Sequence, residues 1–316
     1  MIHRRRRRRI EQRVTPHRDF AMTLRSGVVC LLLLSAALSQ TTEPAKGPLV
    51  RVAVVGFGSG TPSEIPAVLT STLEESGRVL VVERSQYLPA VNALGYQGSL
   101  NMSTEEARRL GSAIGCDFFI VGKAEIITRS TRAKESHQEA LLAVMIVDGR
   151  GGTLAVFDLL TAQAESSEKA VAALSRTLAA RATGYVDQMT KFRASRESFS
   201  SPGSTAPAET ERIEDMPLER SPQAVGFRPP EFVSRVKPEY TAEAERADVN
   251  ATVEVIVVLR SSGQIGEATI TRWAGFGLEE SALRAIRQLK FNPATRNGQP
   301  ISVRALIRYN FRRIGQ

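Results

Sequence analysis

Hydrophobic positions along the chain change their period several times, and each change marks an element. Leu49 to Val55 is a near-continuous apolar run, the pattern of a strand buried on both faces of a sheet. Pro62 and Ser63 then open a stretch in which Ile65, Val68, Leu69 and Leu73 fall at helical spacing, closed by Gly77. Val79 to Val82 predicts a second buried strand, and a short helix follows from Ser85. A further helix begins at Ser103, which stands three residues ahead of Glu106 in the spacing of a capping box, and ends at Gly115. Phe118 to Val121 predicts a third strand. Ala140 to Val147 and Thr153 to Leu159 flank Asp148-Gly149-Arg150-Gly151-Gly152, a hairpin signal. A long helix from about Ser167 to Met189 completes this half. Strands alternating with helices predict an α/β domain with a mixed sheet over 49–193.

The pattern changes after residue 193. From Ala194 to about residue 229 the chain is rich in Ser, Pro, Glu and Arg, with Pro202, Pro207, Pro217, Pro222 and Pro229 and only scattered apolar residues. Such a stretch buries too little surface to offset its ordering entropy, and it reads as a disordered linker over 194–229. Periodicity returns in 230–316. Val253, Val255, Val257 and Leu259 share one face of a strand, Ser261-Ser262-Gly263 turns the chain, and Glu267 to Trp273 returns it. Leu278, Ala282, Ala285, Ile286 and Leu289 form one helical stripe. In the last strand Ile301, Val303, Ala305, Ile307, Tyr309 and Phe311 lie on one face and Ser302, Arg304, Arg308 and Asn310 on the other. The prediction is a small α+β domain of ββαβ order with its helix on one side of an antiparallel sheet.

Charge first suggests a nucleic-acid partner. Among 316 residues, 42 Lys and Arg face 33 Asp and Glu, a formal charge of +9. Yet residues 1–21 hold eight of the arginines against two acids, which is +6 of that excess. Arg25 is followed by the apolar run Gly27 to Leu38 and by Ala37-Leu38-Ser39, the layout of a secretory signal. The 14 residues from Ser26 to Ser39 make roughly 21 Å of helix, shorter than the about 30 Å of a bilayer core. Residues 22–39 therefore read as a signal peptide cut between Ser39 and Gln40, with a short inner-membrane anchor as the alternative. Residues 1–21 read as a basic leader ahead of Met22, possible start of the natural chain. Cleavage leaves 33 basic and 31 acidic residues, near +2, and no nucleic-acid partner is expected.

The same cleavage leaves one cysteine, Cys116, and one histidine, His137. No Cys-x-x-Cys pair, His-rich metal site or disulfide framework can be built from these, so neither a metal nor a catalytic set is expected. His137, within polar 131–139, reads as an exposed loop residue. Gly56, Gly58 and Gly60 follow the first strand and Glu83 ends the second, which invites a nucleotide-binding enzyme as the alternative function. Position 61, where a dinucleotide fingerprint needs its third glycine, is Thr61, and Pro62 follows, so a flexible turn is the favoured reading and no cofactor is expected.

Two resemblances add to this. Val50 to Val55, Val79-Leu80-Val81-Val82-Glu83-Arg84 and the run from Ala107 through Gly111, Gly115 and Phe118 to Gly122 resemble the periplasmic domain shared by curli-secretion lipoproteins and penicillin-binding-protein activator lipoproteins, which implies a non-enzymatic envelope module. In the second half, Pro238-Glu239-Tyr240, with Thr241 where a second proline is usual, Gly263 in the first hairpin, Phe291-Asn292-Pro293-Ala294, Asn297-Gly298-Gln299-Pro300 and the terminal Tyr309-Asn310-Phe311 resemble the TonB C-terminal domain family. That resemblance implies a periplasmic protein that binds outer-membrane transporters, or other envelope proteins, by adding a partner strand to its sheet. The expected edge is Ser302, Val303, Arg304, Ala305, Leu306, Ile307, Arg308, Tyr309 and Asn310. Energy-transducing members also couple transmembrane transport to an inner-membrane proton-channel complex through a membrane-helix histidine. Here the apolar run has no histidine, so the resemblance carries the binding role further than the coupling. A structural envelope scaffold is the remaining alternative.

Overall fold

The computed structural model describes residues 49–131, 134–199, 212–218 and 221–313. The basic leader, the signal-like segment and the expected cut between Ser39 and Gln40 lie outside the described residues. The described part belongs to one compact unit, Gly47–Gln316.

Its first half carries β1 (Val50–Phe57), α1 (Glu64–Glu75), β2 (Val79–Val81), α2 (Arg84–Ala93), α3 (Thr104–Ile114), β3 (Phe118–Thr131), β4 (Lys134–Asp148), β5 (Leu154–Ala164) and α4 (Ser167–Phe199). The sheet order is β2-β1-β3-β4-β5, with β1 parallel to β2 and β3 and the rest antiparallel. The expected capping box forms: Ser103 Oγ accepts the Glu106 N–H (3.1 Å), and Glu106 Oε2 accepts the Ser103 N–H (2.7 Å). Two expectations change here. β3 and β4 run well past the apolar cores that announce them, because thirteen residue pairs from Phe118↔Asp148 to Thr131↔Lys134 continue the ladder. His137 consequently lies in β4 opposite Arg129, half-buried, and not in a loop.

The second half begins earlier than the composition implies. Its elements are β6 (Ile213–Asp215), a single 3₁₀ turn at Pro222–Ala224, β7 (Phe227–Arg228), β8 (Glu231–Ser234), α5 (Ala242–Arg246), β9 (Ala251–Leu259), β10 (Ile265–Arg272), α6 (Leu278–Arg287), β11 (Lys290–Asn292), β12 (Ala294–Arg296) and β13 (Gln299–Phe311). The main sheet runs β10-β9-β13-β12-β7, with β6 alongside β13 and a separate β8–β11 pair. The described residues of 194–229 thus do not form a structureless linker. Residues 194–199 extend α4, and 213–215 and 227–228 pair as strands. Charge does this where apolar content could not: Glu214 meets Arg296 (2.7 Å), Asp215 meets Arg304 (3.2 Å), and the Arg296 guanidinium lies over the Phe227 ring (5.5 Å).

The period-two alternation of β4 decides how the halves join. Leu142, Val144 and Ile146 face a core shared with Leu69 and Leu73 of α1 and with Leu174, Leu178 and Tyr185 of α4. Ala143, Met145 and Val147 face the other way, into a core that contains Leu110 of α3 and also Val255, Trp273, Phe276 and Ile286 of the second half. The second half is therefore part of the cover of the first half's sheet.

Candidate functional site: the edge of the C-terminal sheet

β13 behaves as its alternation predicts. Val303, Ala305 and Phe311 are buried, Ile307 and Tyr309 are half-buried, and Arg304, Leu306, Arg308 and Asn310 are exposed. Antiparallel pairing with β9 runs without a break from Val303↔Leu259 to Phe311↔Ala251. On the opposite side β6 lies parallel to Ser302, Val303 and Arg304, and the Met216 N–H donates to the Arg304 carbonyl (3.4 Å). Backbone groups of alternate residues share a side of a strand. The N–H and C=O of Leu306, Arg308 and Asn310 hence point the same way as those of Arg304, away from β9. Among the described residues no strand pairs with that side between Ala305 and Asn310, about 20 Å of edge at roughly 3.3 Å per residue.

The expected edge is therefore only partly open. Its first three positions, Ser302, Val303 and Arg304, are already covered by the chain's own β6. Ser302 is also buried, and its Oγ accepts the Ser261 N–H (2.7 Å) to hold the β9–β10 turn. Beside the open stretch lies a groove of about 230 Å³ lined by Met216, Phe232, Arg235, Leu289, Leu306 and Tyr309, among others. The Arg235 guanidinium sits 4.5 Å from the Phe232 ring centre, and burial raises the Tyr309 phenol above its ordinary pKa. Arg308 reaches Glu254 on β9 (2.7 Å), so on this face charge is exposed but paired.

The family-motif residues surround this strand and shape it. Asn297 and Gly298, with φ of 52° and 83°, form the two-residue turn between Arg296 and Gln299 that joins β12 to β13, with Pro300 exposed just beyond. Phe291 packs buried beneath, 6.4 Å from Phe232 on the neighbouring β8, and half-buried Pro293 separates β11 from β12. Gly263 takes the positive φ of the β9–β10 turn. Half-buried Pro238 precedes Tyr240, whose hydroxyl donates to the Val249 carbonyl (2.8 Å). Thr241 caps α5, its Oγ1 accepting the Ala244 N–H (3.1 Å).

A second arrangement, which nothing in the local sequence announces, fixes the domain that carries the edge. Asn101 in the first half pairs with a strand end as another strand would: its Oδ1 accepts the Thr252 N–H (3.0 Å) and its Nδ2 donates to the Thr252 carbonyl (2.8 Å). The same Nδ2 reaches the Trp273 carbonyl (2.8 Å), and the Trp273 N–H donates to Met102 (3.1 Å). The Trp273 indole N–H donates to the Gly152 carbonyl (3.0 Å), with the ring 1% exposed. Gly275 is held at φ +75° where a Cβ would lie 2.6 Å from Phe157 and 2.8 Å from Met145. At the other end Glu139, 3% exposed, is gripped by Arg129 (2.9 Å) and by Arg246 of the second half (3.0 Å). Burial pushes this carboxyl up, but the two guanidiniums outweigh it and hold it below its ordinary value.

The alternative glycine site is differently used. Gly56 sits within β1 opposite Val121, and the Gly58 N–H is taken by the Gly122 carbonyl (2.9 Å). Thr61 Oγ1 accepts the Ala124 N–H (3.1 Å). A phosphate cradle needs a turn of N–H groups aimed at the ligand, whereas this loop directs its polar groups to β3. Among the described residues no helix is long and apolar enough to cross a membrane.

Residues 236–312 match the family model described as the Gram-negative bacterial TonB protein C-terminal. No protein of curated function matches the chain in sequence. Among solved structures the chain is similar to the lipoprotein GNA1162 from Neisseria meningitidis, at 12% identity over 44% of this chain and 99% of that one, with a TM-score of 0.31. It is similar to the TonB CTD from Pseudomonas aeruginosa, at 16% identity over 28% of this chain and 89% of that one, TM-score 0.25. It is also similar to the LpoB C-terminal domain from Salmonella enterica, at 17% identity over 37% and 87%, TM-score 0.25.

Proposed function

We propose that this chain is a non-enzymatic docking protein of the Gram-negative envelope, which captures an extended segment of an outer-membrane transporter or similar envelope protein as an added strand along β13. The observation that carries this reading is the stretch Ala305–Asn310. Among the described residues it is paired on one side only, turns the backbone groups of Leu306, Arg308 and Asn310 outward, and lies beside the groove lined by Phe232, Arg235 and Leu289. Main-chain hydrogen bonds along this edge would supply affinity, while the groove and the flanking arginines would choose among side chains. The TonB-type family match over 236–312 supports a periplasmic setting for that edge, as does the signal-like segment 22–39. Energy transduction through an inner-membrane proton-channel complex would be a further property of the same protein, and it would have to pass through the first half.

The test places a photo-crosslinking residue at Arg308 of the full chain in intact Gram-negative cells. The expected result is an adduct with an outer-membrane transporter, lost when Leu306→Pro removes one outward N–H. Proline is tolerated at an edge position whose N–H does not serve the sheet, so β9 pairing and the melting temperature should survive. An adduct of equal yield in the proline variant would remove the strand-addition reading.

A further inference from the structure

The docking edge described above already holds a strand, and that strand comes from the same chain. β6 contributes three residues, parallel to Ser302–Arg304, and is continued by the Met216 N–H on the Arg304 carbonyl. Its side chains are one half-buried isoleucine and two acids. Glu214 is fixed by Arg296 at 2.7 Å, and Asp215 by Arg304 at 3.2 Å. Arg304 is half exposed, and the Asp215 side chain is 81% exposed. The segment then leaves the sheet where the groove begins: Met216 lines the groove beside Leu306, and the next apolar side chain, Leu218, is 81% exposed.

A three-residue ladder with one exposed and one half-buried ion pair and little buried apolar surface belongs to the low-stability end of a structure, where segments open locally while the core stays folded. Its tether keeps it at high effective concentration near the edge, so it returns unless something else is paired there. It also reports what the edge accepts: an extended backbone whose consecutive acids meet Arg296 and Arg304. Arg235 continues this cationic lining along the open stretch, beside Arg308, whose charge is met by Glu254.

Resting on the strand-addition reading, we propose that residues 212–216 are a built-in competitor for the docking edge, and that the partner segment is an acidic extended peptide that displaces them to occupy β13 from Ser302 onward. The segment would then set a threshold. A peptide able to use only the open stretch gains part of the ladder, while one that brings its own acids gains all of it. Where an edge is free only a fraction of the time, apparent affinity falls by that fraction.

The experiment uses the Arg308 crosslink in the full chain and alters β6 in two directions. Releasing the segment with Glu214→Ala and Asp215→Ala together, which leaves β13 and the groove untouched, should raise adduct yield several-fold at limiting partner. Locking it with a disulfide between Asp215→Cys and Arg304→Cys, which are register partners, should suppress the adduct until reductant is added. The synthetic peptide of residues 211–218, supplied in trans to detergent-free envelope extract, should compete with the adduct, and its counterpart with alanine at positions 214 and 215 should compete at least tenfold less well. An adduct present in the natural chain but unchanged by both release and locking would overturn the competitor while leaving strand addition standing. Equal competition by the two peptides would overturn the acidic partner. No adduct in any of the proteins would remove the strand-addition reading, and the competitor with it.

Discussion

The second half of this protein meets other chain segments at two strand margins, and it treats them in opposite ways. At the seam, residues 101–103 lie against the start of β9 and the end of β10, where Asn101 completes the hydrogen bonding of Thr252 and Ser103 bridges Arg272. At the edge, residues 213–215 lie against β13. Both margins are joined by amide hydrogen bonds, from the Asn101 side chain at the seam and from the β6 backbone at the edge. What differs is what surrounds them: the seam is closed by Trp273, Phe157 and Phe276, with the two phenyl rings 4.6 Å apart, whereas β6 is held by side chains that water reaches. Losing the Gly152 partner of Trp273 strands a buried group, while a bond lost at the edge returns to solvent. Burial around the ladder, more than the ladder itself, separates a permanent joint from an exchangeable one.

Trp273→Ala should break the comparison at its strong end. It removes a fully buried indole and its bond to Gly152, and about 3–5 kcal/mol of stability is expected to go with it in denaturant unfolding of the full chain. A loss under about 1 kcal/mol would mean that the halves are only apposed. Asn101→Ala comes next, since it leaves the Thr252 N–H and carbonyl without their partner, and about 1–3 kcal/mol is expected. Acid should loosen the joint by a smaller amount. The folded-state pKa of Glu139 lies below its ordinary value of 4.5, so its contribution is fully present above that value and is lost as pH falls through the depressed one. Stability followed from pH 7 downward should therefore bend at acid pH in the natural protein, and a Glu139→Gln variant should show less of that bend. Leu306→Pro should have the least effect on stability, within about 0.5 kcal/mol, while losing the crosslink at Arg308; a large drop in melting temperature would show that this side of β13 serves the fold.

Legibility followed the range of the interactions. Alternation in β9 and β13 and the Ser103–Glu106 capping box are local rules, and each element appeared where its residues placed it. β6 has no period to read, being one isoleucine followed by two acids; only Arg296 and Arg304, more than 80 residues on, make it a strand. The seam was equally silent. Asn101 sits in an unremarkable polar loop, and a lone Trp273 at a strand end predicts a core residue without saying which core. The single available hint was β4 itself: both of its faces are apolar, so its sheet needs two covers, and α1 with α4 supply only one.

That two-faced strand also sets a timetable. Met145 and its neighbours leave the ribosome roughly 130 residues before Trp273 and Phe276, which at about 5–20 residues per second is on the order of 10 s. Throughout that interval the finished hairpins of β3, β4 and β5 carry one sealed face and one that α2 and α3 cover only in part. A product ending near residue 200 would keep that part-covered face for good, and dye binding and association would be its mark. The second half is thus the last step in folding the first, since its Trp273 and Phe276 complete the cover of β4.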